Sequence, residues 1–186
     1  MNAVLHPSRR PISVEEFFRM DEAGIFGPEE RVELLDGEIY AMPPIGSHHS
    51  GILTRIDRLI RRSIGEGYLV QVQNPVKISL SSLPQPDLVV LKHRDDDYIH
   101  ATATVDDVLL LVEVADSSLR FDRTLKSPLY HAAGITEFWI IGISDRCIES
   151  YPSRQRHGLG DIARARACQG LEISVTELFR PLIENP

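Results

Sequence analysis

Two carboxylates interrupt runs of residues that are otherwise apolar. Asp87 follows Pro86 and opens the run LVVL, and Glu113 lies near the end of VLLLVEV. A charged side chain in such a strand is costly unless it is paired, hydrogen-bonded or bound to a cation. Two carboxylates converging from neighbouring strands offer hard oxygen ligands, which suit Mg²⁺ or Mn²⁺. An ion held there can bind a phosphate oxygen, lower the pKa of a bound water and stabilise developing charge. Lys126 lies further along the chain, four residues after Asp122 and so on the same helical face. Its ammonium could orient the attacking water or stabilise a pentavalent phosphorus. Acids, a cation and a water are the minimum set for metal-assisted hydrolysis of a phosphodiester.

Each residue also has a plainer reading. Asp87 could hydrogen-bond local backbone at a strand start, and Glu113 could be half of a buried ion pair. Lys126 could be a solvated helix residue paired with Asp122, which would then orient it or cap the helix. No H-E-x-x-H, G-x-x-x-x-G-K-[ST], G-x-S-x-G or C-x-x-C is present to suggest other chemistry.

The elements that must position these groups follow from periodicity and turn chemistry. Residues 13–20 predict a short helix with Ser13 as N-cap and Glu16 completing a capping box. Residues 31–42, RVELLDGEIYAM, predict a hairpin about Asp36-Gly37, a type I′ signal. Over residues 48–64, Ile52, Ile56, Leu59, Ile60 and Ile64 recur at helical spacing. Arg55, Arg58 and Arg62 recur on another face of that helix, either solvated or tracking a phosphate backbone. Strands are expected at 68–73, 75–80, 86–91, 108–114, 137–143 and about 147–151, with a charged loop at 92–104 and a weaker C-terminal pair. A helix over roughly 121–133 ends at Gly134. Its crossover position makes the strands at 108–114 and 137–143 parallel neighbours. Tyr130 and Trp139 read as core. The whole is a mixed sheet flanked by helices, α/β or α+β, with an N-terminal hairpin.

Bulk properties bound the reading without deciding it. A length of 186 residues suits one domain, 1–186, with its motif-bearing core at about 31–151. Cys147 and Cys168 form no C-x-x-C pair and fit a reducing compartment. The stretch MNAVLHPSRRP has no apolar core of signal-peptide length, and no apolar run could span a bilayer. A cytoplasmic, unanchored protein is expected. The net charge of -7 counts against a strongly basic nucleic-acid binder. It does not exclude a nuclease, whose metal site brings its own carboxylates.

Five pieces occur in an order that resembles one family. They are VELLDGEIYAMPP, His49 ahead of the amphipathic helix, PQPDLVVL, LLLVEVADSS, and FDRTLKSPLYHAAGITEFWII. Together they fall within residues 31 to 143 and resemble the Uma2 family, also called DUF820, of restriction-endonuclease-like proteins. The resemblance implies the PD-(D/E)xK fold and a divalent-metal nuclease site acting on DNA. It implies that Asp87 and Glu113 bind Mg²⁺ or Mn²⁺, that Glu33 is an additional acid, and that Lys126 is the catalytic lysine. The general pattern places that lysine two residues after the strand glutamate, where this chain has Ala115. His49 reads either as a helix-start residue orienting the hairpin or as a group approaching metal or phosphate. A non-catalytic interaction module on the same fold, and a hydrolase of RNA or nucleotides, stay open. Cutting both strands together needs two sites, which a homodimer would supply.

Overall fold

A computed structural model describes residues 8–184. Residues 1–7, part of the stretch read for a leader, lie outside the described residues, as do 185–186. Helix α1 (Val14–Glu22) begins as its capping box requires: the Ser13 hydroxyl accepts from the Glu16 amide, and the Glu16 carboxylate accepts from the Ser13 amide. Strands β1 (Val32–Leu35) and β2 (Glu38–Ala41) form the expected hairpin, with Leu35 opposite Glu38. Asp36 and Gly37 both take positive φ, 50° and 77°, as a type I′ turn demands. Gly37 has a second constraint, since a Cβ there would lie 2.3 Å from Cβ of Pro11.

Helix α2 (Ser47–Ser63) follows, then β3 (Tyr68–Val72), β4 (Val76–Lys77), β5 (Leu88–Lys92), β6 (Ala103–Thr104) and β7 (Val108–Ala115). A helical segment then runs as α3 (Leu119–Phe121), a π-helical turn (Asp122–Lys126) and α4 (Ser127–Ala133), stopping at Gly134 with φ 90°. The chain continues as β8 (Phe138–Gly142), β9 (Cys147–Tyr151), β10 (Gln155–His157), β11 (Ile162–Arg164), β12 (Glu172–Ser174) and α5 (Val175–Glu184). Six strands form the central sheet in the order β10-β9-β8-β7-β5-β3. Its neighbours are antiparallel except β7 and β8, which the intervening helix makes parallel.

The strand expected over 75–80 contracts to β4. Beyond it the backbone turns back to serve other elements: Leu80 O accepts from the Val14 amide and Ser81 O from the Gly37 amide, while the Leu83 amide donates to Leu34 O. These bonds fasten α1 and the hairpin to the body of the protein.

Strand alternation divides the interior. Leu110, Val112 and Val114 of β7, with Leu88 and Val90 of β5, pack against Ile52, Ile56 and Ile60 of α2 and against Leu178 and Phe179 of α5. Leu111 and Ala115 of β7, with Val89 and Leu91 of β5, face Tyr130 on α4. Trp139 is buried in the core, as its surroundings in the sequence imply.

The expected C-terminal strand pair forms as β11 and β12, antiparallel, and an unexpected helix, α5, follows it. Val175, Leu178, Phe179 and Leu182 recur at helical spacing, and the Glu177 amide donates to the Ser174 hydroxyl. Pro181, inside the helix, is what argues against it, because proline cannot donate to the carbonyl four residues back. Arg55 supplies the missing donor. Its Nη2 lies 2.6 Å from Glu177 O and its Nε 3.0 Å from Leu178 O. Arg55 therefore joins α2 to α5, which is a structural task where a phosphate contact was one expectation. Arg55→Ala should lower unfolding stability by about 1–3 kcal/mol, the range for hydrogen bonds from a charged group to partly buried acceptors. Urea denaturation checks this, and a midpoint unchanged from the wild type would remove Arg55 from this role.

Candidate active site

The hairpin has two unlike faces. Val32, Leu34 and Ile39 point to a small core with Val14 and Phe17. The alternate residues Arg31, Glu33, Tyr40 and Met42 point the other way, with Glu33 directly opposite Tyr40. Alternation along β7 likewise sets Glu113 on the same face as Leu111 and Ala115, beneath the helical segment. The β5–β7 register pairs Leu88 with Val112, and one residue further it brings Asp87 opposite Glu113. Asp87 Oδ2 accepts from the Val114 amide at 2.8 Å, which holds it to the strand carrying Glu113.

The third contribution comes from the π-helical turn. Pro128 sits in the first turn of α4 and cannot donate to the carbonyl of Thr124. The backbone widens just ahead of it, and the Ser127 amide bonds Asp122 O five residues back. The widened turn carries Asp122 and Lys126, both buried.

Lys126 is 2% exposed, with its Nζ 3.1 Å from Glu33 Oε2 and 3.2 Å from Glu113 Oε1. Glu33 and Glu113 are 1% and 3% exposed. Burial disfavours the Lys126 ammonium, but Glu113, Glu33 and Asp122 outweigh it and hold its pKa above the usual range. Glu113 Oε1 also accepts from the Tyr130 hydroxyl at 2.5 Å. Burial pushes the Glu113 pKa up to about 8, against the pull of Lys126 and with support from Asp122, Asp87 and Glu33. Burial likewise raises Asp122, whose carboxylate accepts from the Ser118 hydroxyl at 2.7 Å. Glu33 Oε2 accepts in addition from the Gln85 amide at 3.2 Å.

These groups underlie a cleft of about 500 Å³, lined by Asp87, Glu113, Lys126, Asp122 and His49 among others. Glu33 stands behind Lys126, outside the lining. His49, near the start of α2, places Nε2 3.0 Å from Asp87 Oδ2. That bond raises the His49 pKa, partly offset by burial. Four carboxyl groups, Glu33, Asp87, Glu113 and Asp122, thus gather about one lysine. Among the described residues, Glu33 Oε1, His49 Nδ1 and Gln73 Nε2 are the buried side-chain atoms without a hydrogen-bond partner. Two of these three belong to this cluster, so its polar capacity is not spent internally.

That surplus fits a divalent cation. Among the described residues no three His, Cys, Asp or Glu side chains converge as ligands. Mg²⁺ does not require three, since it commonly takes one or two carboxylates and completes its shell with water and phosphate oxygens. Asp87 and Glu113, side by side on the cleft wall, match that donor set.

The structure brings together Glu33, Asp87, Glu113, Lys126, His49 and Asp122. Arg55, Arg58 and Arg62 do not line the cleft: Arg55 binds α5, Arg62 lies 3.5 Å from Glu177, and Arg58 is exposed. The sequence reading missed three participants. Tyr130 is buried as expected, but its hydroxyl serves Glu113. Arg31 and Phe121 line the cleft. The period-two pattern of RVELL puts Arg31 on the face of Glu33, and that was the available signal.

Comparisons with known proteins bear on the family and the fold. The sequence model of the Uma2 family, described as "Putative restriction endonuclease", matches residues 14–178. A search of curated proteins returns no match. A crystal structure from Anabaena variabilis ATCC 29413, described as "a putative nuclease belonging to DUF820", superposes with a TM-score of 0.71 at 16% identity. The match covers 91% of this chain and 98% of that one, and it establishes the fold.

The raised pKa of Glu113 has a sign that can be checked. Between its ordinary value of 4.5 and about 8, the folded protein holds a proton that the unfolded chain releases. Stability from this group is therefore present below pH 4.5 and lost as pH rises through 8. His49 and Asp122, also raised, act in the same direction. Carboxylates with lowered values, such as Glu16 and Glu149, have completed their contribution above pH 5. In metal-free buffer the wild type should lose stability from pH 5 to 8, and Glu113→Gln should flatten the curve. Denaturation midpoints across that range decide it, with parallel curves counting against the assignment.

Proposed function

The chain belongs to the Uma2 family, and on that premise we propose that it is a metal-dependent endonuclease hydrolysing phosphodiester bonds in DNA. The observation carrying this reading is the buried ammonium of Lys126, held between Glu33 and Glu113 at the floor of a cleft that also exposes Asp87. Asp87 and Glu113 would hold Mg²⁺ or Mn²⁺. Such an ion, when bound, supplies a Lewis acid for a phosphate oxygen and lowers the pKa of a coordinated water.

The chain's own residues do the rest. Lys126 presents a fixed positive charge beside the reacting phosphate, where it can orient the attacking water and offset charge gathering on the non-bridging oxygens. Glu33 is a positioning residue: it reaches the cleft only through Lys126, whose charge and direction it maintains. Tyr130 and the Val114 amide fix one oxygen each of Glu113 and Asp87. His49 Nε2 bonds the same Asp87 oxygen as the Val114 amide. In the reaction the water oxygen bonds to phosphorus, a P–O ester bond breaks, and a phosphate monoester and a hydroxyl remain.

Nicking of supercoiled plasmid with Mn²⁺ tests the reading, alongside calorimetric titration of Mn²⁺ with and without a short duplex. Asp87→Asn and Glu113→Gln should abolish both cleavage and metal uptake while keeping the fold by circular dichroism. Lys126→Met should cut the rate by about a hundredfold or more, as for loss of one group that stabilises transition-state charge. Full activity in purified, folded Asp87→Asn and Glu113→Gln would overturn the assignment. Hydrolysis of RNA or nucleotides but no DNA would replace the substrate and keep the site.

A further inference from the structure

The cleft has a second wall that the chemistry above does not use. Tyr40 and Phe121 both line it, their rings in edge contact with centroids 5.5 Å apart. The Tyr40 hydroxyl donates to Glu38, which fixes the ring. Pro43, Pro44 and the exposed Ile45 extend this surface toward Gly46 at the head of α2. Two consecutive prolines restrict the backbone, so the wall is largely preformed. Beside it stands Arg31, held through its backbone opposite Met42. Among the described residues it is the arginine of the cleft, and no carboxylate lies within ion-pair distance of its guanidinium.

An acidic floor repels a phosphate until cations intervene, and Lys126 is already committed to Glu33 and Glu113. Arg31, with no carboxylate to serve, has its guanidinium donors free for a phosphate of the strand. The two rings meet at 62°, so one of them can face a nucleobase while the other abuts its edge, with the prolines continuing the wall. A volume of about 500 Å³ is that of a small-ligand pocket, on the scale of a nucleotide. A base within a duplex could reach the wall only by leaving its stack, a cost that is least where the base is already unpaired. The net charge of -7 further weakens the general attraction on which duplex binding depends.

We infer that the cleft takes one unpaired nucleotide of a DNA strand, its phosphate on Arg31 and its base against Tyr40 and Phe121. The inference rests on the nuclease reading for the identity of the substrate and deepens it by naming the form of DNA acted on.

The test compares one DNA sequence as a duplex, as a single strand and as a duplex with a five-nucleotide bubble. Binding is read by fluorescence anisotropy in Ca²⁺, and cleavage in Mn²⁺. The single strand and bubble should bind and be cut at least tenfold better than the duplex. Tyr40→Ala and Phe121→Ala should bring that ratio toward one, as loss of stacking predicts. Arg31→Ala should raise KM roughly tenfold with a smaller change in kcat, and lower the salt slope of single-strand binding by about 0.7. Arg31→Lys should restore part of the affinity. Equal binding and cutting of paired and unpaired DNA overturns the inference while leaving the nuclease intact. Selective binding of unpaired DNA without cleavage overturns the nuclease reading and keeps the inference. No binding of any form overturns both, and melting curves of each variant separate these effects from misfolding.

Discussion

An ammonium withdrawn from water must be matched by carboxylates, and the assembly around Lys126 follows from that requirement. Removing one partner of such a group strands a charge in a medium that solvates it poorly, at about 3–5 kcal/mol. Glu33 comes from the hairpin, Glu113 from the centre of the sheet, and Lys126 from the π-helical turn. Three elements are thereby joined at a single nitrogen, with Glu33 of the hairpin eighty residues before Glu113 of β7. The hydrogen bonds that hang the hairpin on the segment 80–83 make sense in this light, since they hold Glu33 where Lys126 needs it.

Two prolines sit inside helices, and the fold answers them differently. Pro128 is accommodated by widening the backbone, which moves Asp122 and Lys126 inward. Pro181 is accommodated by a side chain from another element, since Arg55 supplies the donors that α5 lacks. The first departure from regular helix carries the site, and the second anchors the face of the sheet opposite to it. In both cases an unsatisfied carbonyl is the driving problem.

Much of this could be read from local pattern. The capping box at Ser13, the Asp36-Gly37 turn, the unbroken apolar run of β7 and the stop at Gly134 each act over a few residues, and each appears as the sequence implies. Asp87 and Glu113 were conspicuous because they violate the apolar pattern around them, and the violation marks the site. What escaped depends on partners far along the chain. Arg55 has the spacing of a solvated helix face, and only the fold supplies Glu177 as its neighbour. Tyr130 resembles any core aromatic until its hydroxyl is seen beside Glu113. Arg31 looks like a charge flanking a strand, and its meaning waits on the cleft. Helix α5 was obscured because Pro181 is a helix-breaker whose remedy lies more than a hundred residues upstream.

The two-faced hairpin makes the Asp36-Gly37 turn a ruler as well as a bend. Its length decides which residues look at the core and which look at the cleft, because strand side chains change sides with every step. One residue gained or lost there would turn β2 over against β1, sending Ile39 toward the cleft and Tyr40 into the core with Val14 and Phe17. The turn thus counts out which side of β2 meets the cleft, while the Leu34–Leu83 bond keeps Glu33 on its own side of β1.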